Sequence, residues 1–314
     1  MPTPASAAAE GARSSTVAVA KRATVKPYGI YGRPFDVDPA GELGRKISLA
    51  TTPAEARLLK TITGHAISTW FGDWSGDVRQ AVARTVAGAN GRKSVASLVM
   101  YNIPHRDCGD YSKNSVSSAQ VYKTWVDRFI AGLGKSREII IIEPDALALT
   151  TCLTPAQSAE RSALLKYAVT RVAAQGSWSY IDAGHTEWLT ASVIADRLKA
   201  AGIAEATGFS LNVSNFKATG HTVSYGVSIS NLIGHKHFLV DTSRNGTPLT
   251  NNLWCNPPGM TLGIEPTTHT SSSLVDAYLW IKPPGESDGP CNGGPGPGEF
   301  FTSYALALVT GAKS

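Results

Sequence analysis

Carboxylates follow short apolar runs in this sequence, and their positions suit acid–base chemistry. Asp107 lies seven positions after Met100, where one apolar run ends, and Asp145 lies three positions after the end of the run Ile139–Ile142. Two carboxyl groups held close together do not both ionise easily, so one pKa rises and a protonated acid survives near neutral pH. Such pairs hydrolyse acetals, including glycosidic bonds. Capping of the next helix is the alternative role for any single aspartate here.

Tryptophans in polar contexts give a second indication of carbohydrate chemistry. Trp70, Trp188 and Trp254 lie outside the long apolar runs. Indole offers a large flat apolar surface at low entropic cost, on which the C–H faces of sugar rings can stack. Partly buried packing is the alternative, and it is the favoured interpretation for Trp125, which lies in a helical pattern. His185 is either a hydrogen-bonded structural residue or a substrate contact.

The apolar runs are predicted to be buried strands of a parallel α/β sheet, because they are short and continuous rather than alternating. Helical stretches at 118–133, 154–175 and 192–201 separate them. This order predicts one α/β barrel-like domain, with the polar clusters gathered at the carboxyl ends of the strands. The six runs are Leu98–Met100, Ile139–Ile142, Tyr180–Ile181, Phe209–Leu211, Phe238–Val240 and Tyr278–Ile281.

Composition excludes several classes of protein. The segment Pro2–Lys26 is rich in Ala, Ser and Thr, and we interpret residues 1–33 as a disordered extension or linker remnant before a catalytic domain at 34–314. Four basic residues and one acidic residue in that segment account for +3 of the net charge of +5, so no basic nucleic-acid face is indicated. No run is long enough to cross a membrane, and no nucleotide-binding fingerprint or metal-ligand spacing is present. We expect no metal and no cofactor.

The chain contains four cysteines, which allow three pairings. Cys108 and Cys152 follow neighbouring predicted strands, whereas Cys255 and Cys291 flank the segment that ends at Asp288. Pairing Cys108 with Cys152 and Cys255 with Cys291 would join loops at the predicted mouth. Four buried free thiols in a cytosolic enzyme are the alternative. No CxxC spacing suggests a structural zinc site.

Taken in order, the motifs resemble those of glycoside hydrolase family 6, a cellulase family that cleaves β-1,4-glucan with inversion. The resemblance runs from about Pro34 to the C-terminus. It implies a distorted TIM-like α/β barrel of mostly parallel strands, fewer than eight in number, with an open active-site cleft. The matching motifs are Thr69–Phe71, Tyr101–Gly109, Ile142–Asp145, Asp182–Trp188, Asn212–Asn215, Asp241–Gly246, Trp254–Cys255 and Leu279–Gly289.

The resemblance also implies roles for individual residues. Asp145 would be the general acid, and Asp107 would keep it protonated and order water. Tyr101 would push the sugar at subsite −1 out of its relaxed chair. Asp288 matches the residue usually proposed as the base, which acts directly or through water. The implied substrate-binding residues are Trp70, His185, Trp188, Asn212, Arg244, Trp254, Lys282 and Glu286, and the implied disulfides are Cys108–Cys152 and Cys255–Cys291.

These features favour a secreted, monomeric, inverting endo-β-1,4-glucanase that acts on cellulose or related glucans, although no secretory signal follows Met1. Only 35 residues separate Cys255 from Cys291, which leaves little chain to roof a tunnel. A processive cellobiohydrolase of the same family is the alternative. A non-catalytic glucan-binding protein is disfavoured, because binding needs no proton donor. The segment Gly72–Asp77 departs from the family pattern, and its Trp74 either adds a platform or only packs.

Overall fold

The computed structural model describes residue 1 and residues 29–109, 116–249 and 253–311. Seven parallel strands follow one another across a single curled sheet in chain order, which confirms the predicted barrel of fewer than eight strands. The strands are β1 Thr69–Phe71, β2 Ser97–Met100, β3 Ile139–Ile142, β4 Trp178–Asp182, β5 Gly208–Leu211, β6 His237–Asp241 and β7 Val275–Leu279. The helices are α1 Glu42–Ala50, α2 Pro53–Leu58, α3 Lys60–Thr63, α4 Val78–Gly91, α5 Ala119–Leu133, α6 Pro155–Gln175, α7 Ala191–Ala200, α8 Thr219–Leu232 and α9 Thr302–Thr310.

Strand β3 illustrates why continuous apolar runs form this sheet. Its four isoleucines are all completely buried. Ile139 and Ile141 pack inside the barrel, whereas their neighbours Ile140 and Ile142 pack outward against the helical layer. Alternate residues of a strand point to opposite faces, so a strand covered on both sides must be apolar at every position.

The barrel is closed only weakly between its first and last strands. In the described residues, a single bridge joins Ile67, just before β1, to Trp280, just after β7. The amide of Ser68 donates to the Trp280 carbonyl at 3.0 Å, and the indole of Trp70 donates to the Ile281 carbonyl at 2.7 Å. Residues of both edges line one long cleft, which confirms an open site at this seam.

Two predicted boundaries differ from the structure. The last strand begins at Val275, earlier than the apolar run at 278–281, because its first residues include the buried Asp276. Ile30 is fully buried and belongs to the cluster inside the barrel, so ordered structure begins before residue 34. Of the predicted disordered extension at 1–33, residues 2–28 lie outside the described residues. No helix in the described part of the chain is long and apolar enough to span a membrane.

Both expected disulfides are present. Cys108 is bonded to Cys152 with a Cα–Cα distance of 5.3 Å, and Cys255 to Cys291 with a Cα–Cα distance of 6.0 Å. The first joins the loops after β2 and β3, and the second joins the loop after β6 to the segment after β7. Each crosslink therefore fastens two segments beyond the carboxyl ends of the strands.

Removal of one crosslink is expected to destabilise the fold without unfolding it. Replacing both Cys108 and Cys152 with alanine should lower the free energy of unfolding by about 2–4 kcal/mol, because the crosslink restricts the unfolded chain. Urea titration measures this change, and the matched Cys255/Cys291 double variant tests the other crosslink. Mass spectrometry of non-reduced peptides should recover both links. Four alkylatable thiols in the native protein would contradict this assignment.

Candidate active site

Strained backbone bends the chain where strands end and the expected catalytic residues begin. Asp107, Glu143, Asp145 and Asn212 have φ angles of 52°, 50°, 68° and 65°. Non-glycine residues rarely adopt positive φ, and such strain concentrates at functional sites where the surrounding structure imposes it. These residues follow β2, β3 and β5, so the sharp turns lie together at the carboxyl-end mouth of the barrel.

The loop after β2 carries two of the expected catalytic residues in direct contact. The Tyr101 hydroxyl donates to Oδ2 of Asp107 at 2.6 Å. Burial, the charges of Asp107 and Asp145, and this hydrogen bond raise the pKa of Tyr101 well above its ordinary value. The phenol therefore remains protonated and acts as a donor to Asp107.

Asp145 has the environment that a general acid requires. Burial raises its pKa well above the ordinary aspartate value, and the charges of Asp182, Asp107 and Asp288 raise it further, against an opposing effect of Lys282. Oδ1 of Asp145 is buried and has no hydrogen-bond partner among the described residues. The carboxyl group therefore keeps its proton to a higher pH than an ordinary aspartate, and Asp145 lines the cleft.

Asp182 lies next to Asp145, although the sequence analysis assigned it no individual role. Its Oδ2 accepts hydrogen bonds from the amides of Asp145 and Gly184 at 2.9 and 3.1 Å, and its Oδ1 accepts one from the hydroxyl of Ser210 at 3.1 Å. Burial raises its pKa to about 7, although these hydrogen bonds oppose the rise. Of the neighbouring charges it raises the pKa of Asp145 most, ahead of the expected Asp107. The only signal in the sequence was its place at the start of the polar motif Asp182–Trp188, where β4 ends.

Changing Asp182 to asparagine should alter the pH profile. Asparagine can place its oxygen on the two amides and its amide nitrogen toward Ser210, so the loop geometry is preserved. Without the neighbouring negative charge, Asp145 loses its proton more easily, and we expect the alkaline limb of the kcat profile to move to lower pH.

The same Asp182→Asn substitution should stabilise the fold at alkaline pH. Because the folded-state pKa of Asp182 is raised to about 7, its contribution to stability is present below its unfolded pKa and is lost as pH rises towards 7. The asparagine variant avoids that loss, so above pH 7 its free energy of unfolding, measured by urea titration, should exceed that of the wild type.

The kinetic prediction has its own test. An unchanged alkaline limb of the kcat profile in Asp182→Asn would show that Asp182 does not raise the pKa of Asp145.

Glu143 is a second residue that the motifs contained without a role. It is completely buried after β3, and its carboxylate accepts from the amides of Asn102 and Ile103 at 2.9 and 3.1 Å and from the Tyr122 hydroxyl at 3.0 Å. It therefore ties the start of the loop that carries Asp107 to the end of the strand that carries Asp145.

Asp288, the expected base, is paired with cations. Its Oδ2 accepts from the Arg244 guanidinium at 2.8 Å and from the Asn256 amide at 3.0 Å. The ammonium of Lys282 lies 3.7 Å from Oδ1. The Arg244 guanidinium also lies 4.4 Å from the ring centre of Phe216. These contacts hold the carboxylate in a fixed orientation on the β7 side of the cleft.

Indole rings line the cleft, whose volume is about 1200 Å³. Trp70 meets Tyr101 edge to face at 5.0 Å, and Trp188 lies against His185 with ring centres 5.2 Å apart. Trp254 is 46% exposed. Burial and the charge of Lys217 lower the pKa of His185 to about 4, so its imidazole is neutral near pH 7 and can accept a hydrogen bond.

Two expected sugar contacts do not line the cleft. Asn212 is fully buried, where its amide donates to the Asp241 carbonyl at 2.9 Å and its oxygen accepts from the Lys217 amide at 3.1 Å. Arg244 is also fully buried, beneath Asp288. Except for Nε of Arg244, which has no hydrogen-bond partner in the described residues, their side-chain polar groups contact the protein, and neither residue lines the cleft.

Two further expected sugar contacts do line the cleft. Lys282 is at its wall, next to Asp288. Glu286 also lines it and accepts from the ammonium of Lys46 on α1 at 2.6 Å. No group of His, Cys, Asp or Glu in the described ranges is arranged to hold a metal ion.

A carboxyl group with a raised pKa in a cleft lined by indole rings is typical of a carbohydrate-cleaving enzyme. The family model described as glycosyl hydrolases family 6 matches residues 36–312, and the chain therefore belongs to that family.

Individual relatives are similar along most of the chain. Endoglucanase A of Cellulomonas fimi is 41% identical over 89% of this chain, which spans 61% of that relative's length. Endoglucanase 1 of Streptomyces halstedii is 37% identical, with 88% of each chain covered. The structure of the endoglucanase Cel6 from Mycobacterium tuberculosis, in complex with methyl-cellobiosyl-4-deoxy-4-thio-β-D-cellobioside, is 41% identical with a TM-score of 0.83, and the match covers 89% of this chain and 97% of that one.

Proposed function

We propose that this protein is an inverting endo-β-1,4-glucanase that hydrolyses internal bonds of cellulose or related glucans. The observation that carries the proposal is the carboxyl group of Asp145, whose pKa is raised by burial and by three neighbouring carboxylates in a cleft lined by indole rings. The names of the relatives and the thio-linked cellobioside bound by the mycobacterial enzyme support a β-glucan substrate.

The proposed reaction is a single displacement at the anomeric carbon. Asp145 gives its proton to the glycosidic oxygen as the bond from that oxygen to the anomeric carbon breaks. A water molecule attacks the same carbon from the opposite face and transfers its proton towards Asp288, directly or through a second water. Asp107 and Asp182 act on the acid before this step, because their charges favour its protonated form.

Tyr101 would act on the shape of the substrate. Its ring is buried, in contact with Trp70, and its hydroxyl is anchored to Asp107. A ring fixed on both sides does not yield to a bound sugar, so the sugar must distort instead. Distortion towards the planar geometry of the transition state contributes to catalysis by glycosidases.

An open groove supports internal cleavage over processive release from chain ends. Residues beside the seam between β1 and β7 line the cleft, and two indole rings of its lining, Trp254 and Trp74, are about half exposed. The loops at 110–115 and 250–252 lie outside the described residues. A polymer chain can therefore enter sideways at the described walls, which the cellobiohydrolase alternative would not allow.

Viscometry tests the proposed mode of action. Internal cuts should lower the viscosity of carboxymethyl cellulose quickly while few reducing ends appear. A fall in viscosity only in proportion to released cellobiose would favour the processive alternative. The Asp145→Ala variant is the matched control for contaminating activity.

The cellular setting is part of the proposal. Two disulfides favour an oxidising compartment, and we propose that the protein acts outside the cell as a monomer. One chain supplies both carboxyl groups and all the indoles of the cleft, so the reaction requires no second subunit. Residues 34–314, together with the ordered residues before them, would form the catalytic domain.

A further inference from the structure

We propose that Trp74 is an additional stacking platform, which binds a pyranose ring of the glucan chain on the β1 wall of the cleft. The inference rests on the proposed glucanase function and adds a binding position to it. Trp74 lies in Gly72–Asp77, a segment outside the motifs that carry the family resemblance.

The exposure of Trp74 is the first observation. Its side chain is 52% exposed and lines the same cleft as the expected acid. Exposing an indole of this size to water is unfavourable, since aromatic side chains bury large areas when they pack. A flat apolar surface presented to a polysaccharide groove suits the C–H face of a sugar ring.

The turn that carries Trp74 holds the ring in place. The residues Asp73–Ser75 form one turn of 3-10 helix, in which the Gly72 amide donates to the Ser75 hydroxyl at 3.0 Å. A Cβ atom at Gly72 would lie 2.3 Å from the Trp74 ring, so only glycine permits this approach. A platform that is already fixed loses little conformational entropy when a ligand binds.

Arg106 links Trp74 to the subsite beside the acid. Its guanidinium lies 5.4 Å from the ring centre of Trp74 and 4.4 Å from that of Tyr101. It also donates to Asp73 at 3.3 Å and to the Tyr101 carbonyl. Arg106 is only 3% exposed, so a buried cation lies beside an indole that is itself half exposed and lines the cleft.

The placement indicates which part of the substrate meets Trp74. The ring centres of Trp74 and Tyr101 are 6.4 Å apart. A chain whose reacting sugar lies at Tyr101 would therefore bring a neighbouring unit over Trp74. Oligosaccharides that are too short to place a sugar over Trp74 would gain no binding energy from its ring.

Cellooligosaccharides of increasing length test this inference. We would measure kcat/KM for trimer to hexamer with the wild type, Trp74→Ala and Trp74→Phe. Loss of one stacked aromatic contact should lower kcat/KM for the longer oligosaccharides about two- to twelvefold more than for the shortest one cleaved. Phenylalanine keeps a flat face and should restore part of the loss. The control is Leu232→Ala on α8, which removes a side chain of similar exposure (48%) outside the cleft.

Quenching of intrinsic fluorescence by cellohexaose separates binding from hydrolysis. The wild type should lose more fluorescence on binding than Trp74→Phe, whether or not it cleaves the sugar. If the wild type is quenched more than Trp74→Phe but does not cleave glucan, the proposed function is refuted, whereas the stacking role of Trp74 is still supported. Equal quenching in the two proteins, or a length-independent loss of kcat/KM with a lower unfolding midpoint, would show that Trp74 only packs.

Discussion

Replacing Asp145 with alanine is expected to slow hydrolysis of β-1,4-glucan by roughly two to four orders of magnitude, the usual contribution of general acid catalysis. The variant keeps the groove and its indoles, so KM should change far less than kcat. The rate of hydrolysis of aryl cellooligosaccharides with good leaving groups should fall less, because their leaving oxygen needs less protonation.

The matched control for this experiment is Asp196→Ala, which removes an aspartate whose side chain is 73% exposed on α7. It should retain wild-type kinetics. Circular dichroism of both variants excludes misfolding. Near wild-type activity of Asp145→Ala on cellulose would remove Asp145 from the role of acid.

Replacing Arg244 with methionine should cause the largest loss of stability. Arg244 is completely buried and its partner Asp288 has only 6% of its side chain exposed. Removing one member of a buried ion pair costs about 3–5 kcal/mol, because the other charge is left with too few partners. Lys282, at 3.7 Å, compensates in part. Activity should fall as well, since the orientation of Asp288 is lost.

Urea unfolding measures this effect, and Arg171→Met provides the control. Arg171 also pairs with a carboxylate, Asp127, at 2.7 Å, but the two side chains are 41% and 45% exposed. Exposed pairs contribute about 0–1 kcal/mol. Similar losses in the two variants would contradict the account of Arg244 as a buried anchor of the expected base.

The strands and helices with strong local signals were predictable from the sequence. Four consecutive isoleucines read as a strand buried on both faces, and β3 is that strand. Thr154, Pro155 and Gln157 match the capping pattern of a helix start, and α6 begins there with both capping hydrogen bonds formed. The signal was local in each case, and tertiary packing did not override it.

Contacts between distant segments were not predictable in the same way. The pairing of Glu286 with Lys46 spans 240 positions in the sequence, and no pattern in either segment indicates the other. Ile30 lies beside a segment of low-complexity composition, yet its side chain fills space inside the barrel. Such contacts depend on how the whole chain folds.

The sequence motifs indicated which residues gather around the candidate site. They did not indicate which of those residues face the cleft or which carboxylate has the largest effect on the pKa of Asp145. The motifs named the cleft, whereas burial decides which polar residues face it, and Asn212 and Arg244 are on the protein side. Charges also act through space, and the charge of Asp182 raises the pKa of Asp145 more than that of the expected Asp107 does. One sequence without distances cannot rank these neighbours.

The most direct test of the account is the configuration of the first product. Proton NMR would follow the anomeric signals in the first minutes of cellohexaose hydrolysis, before mutarotation mixes them. Protonation by Asp145 with attack of water from the opposite face predicts the α-anomer from this β-linked substrate. Initial release of the β-anomer would mean a covalent intermediate and retention, and it would contradict the proposed single displacement.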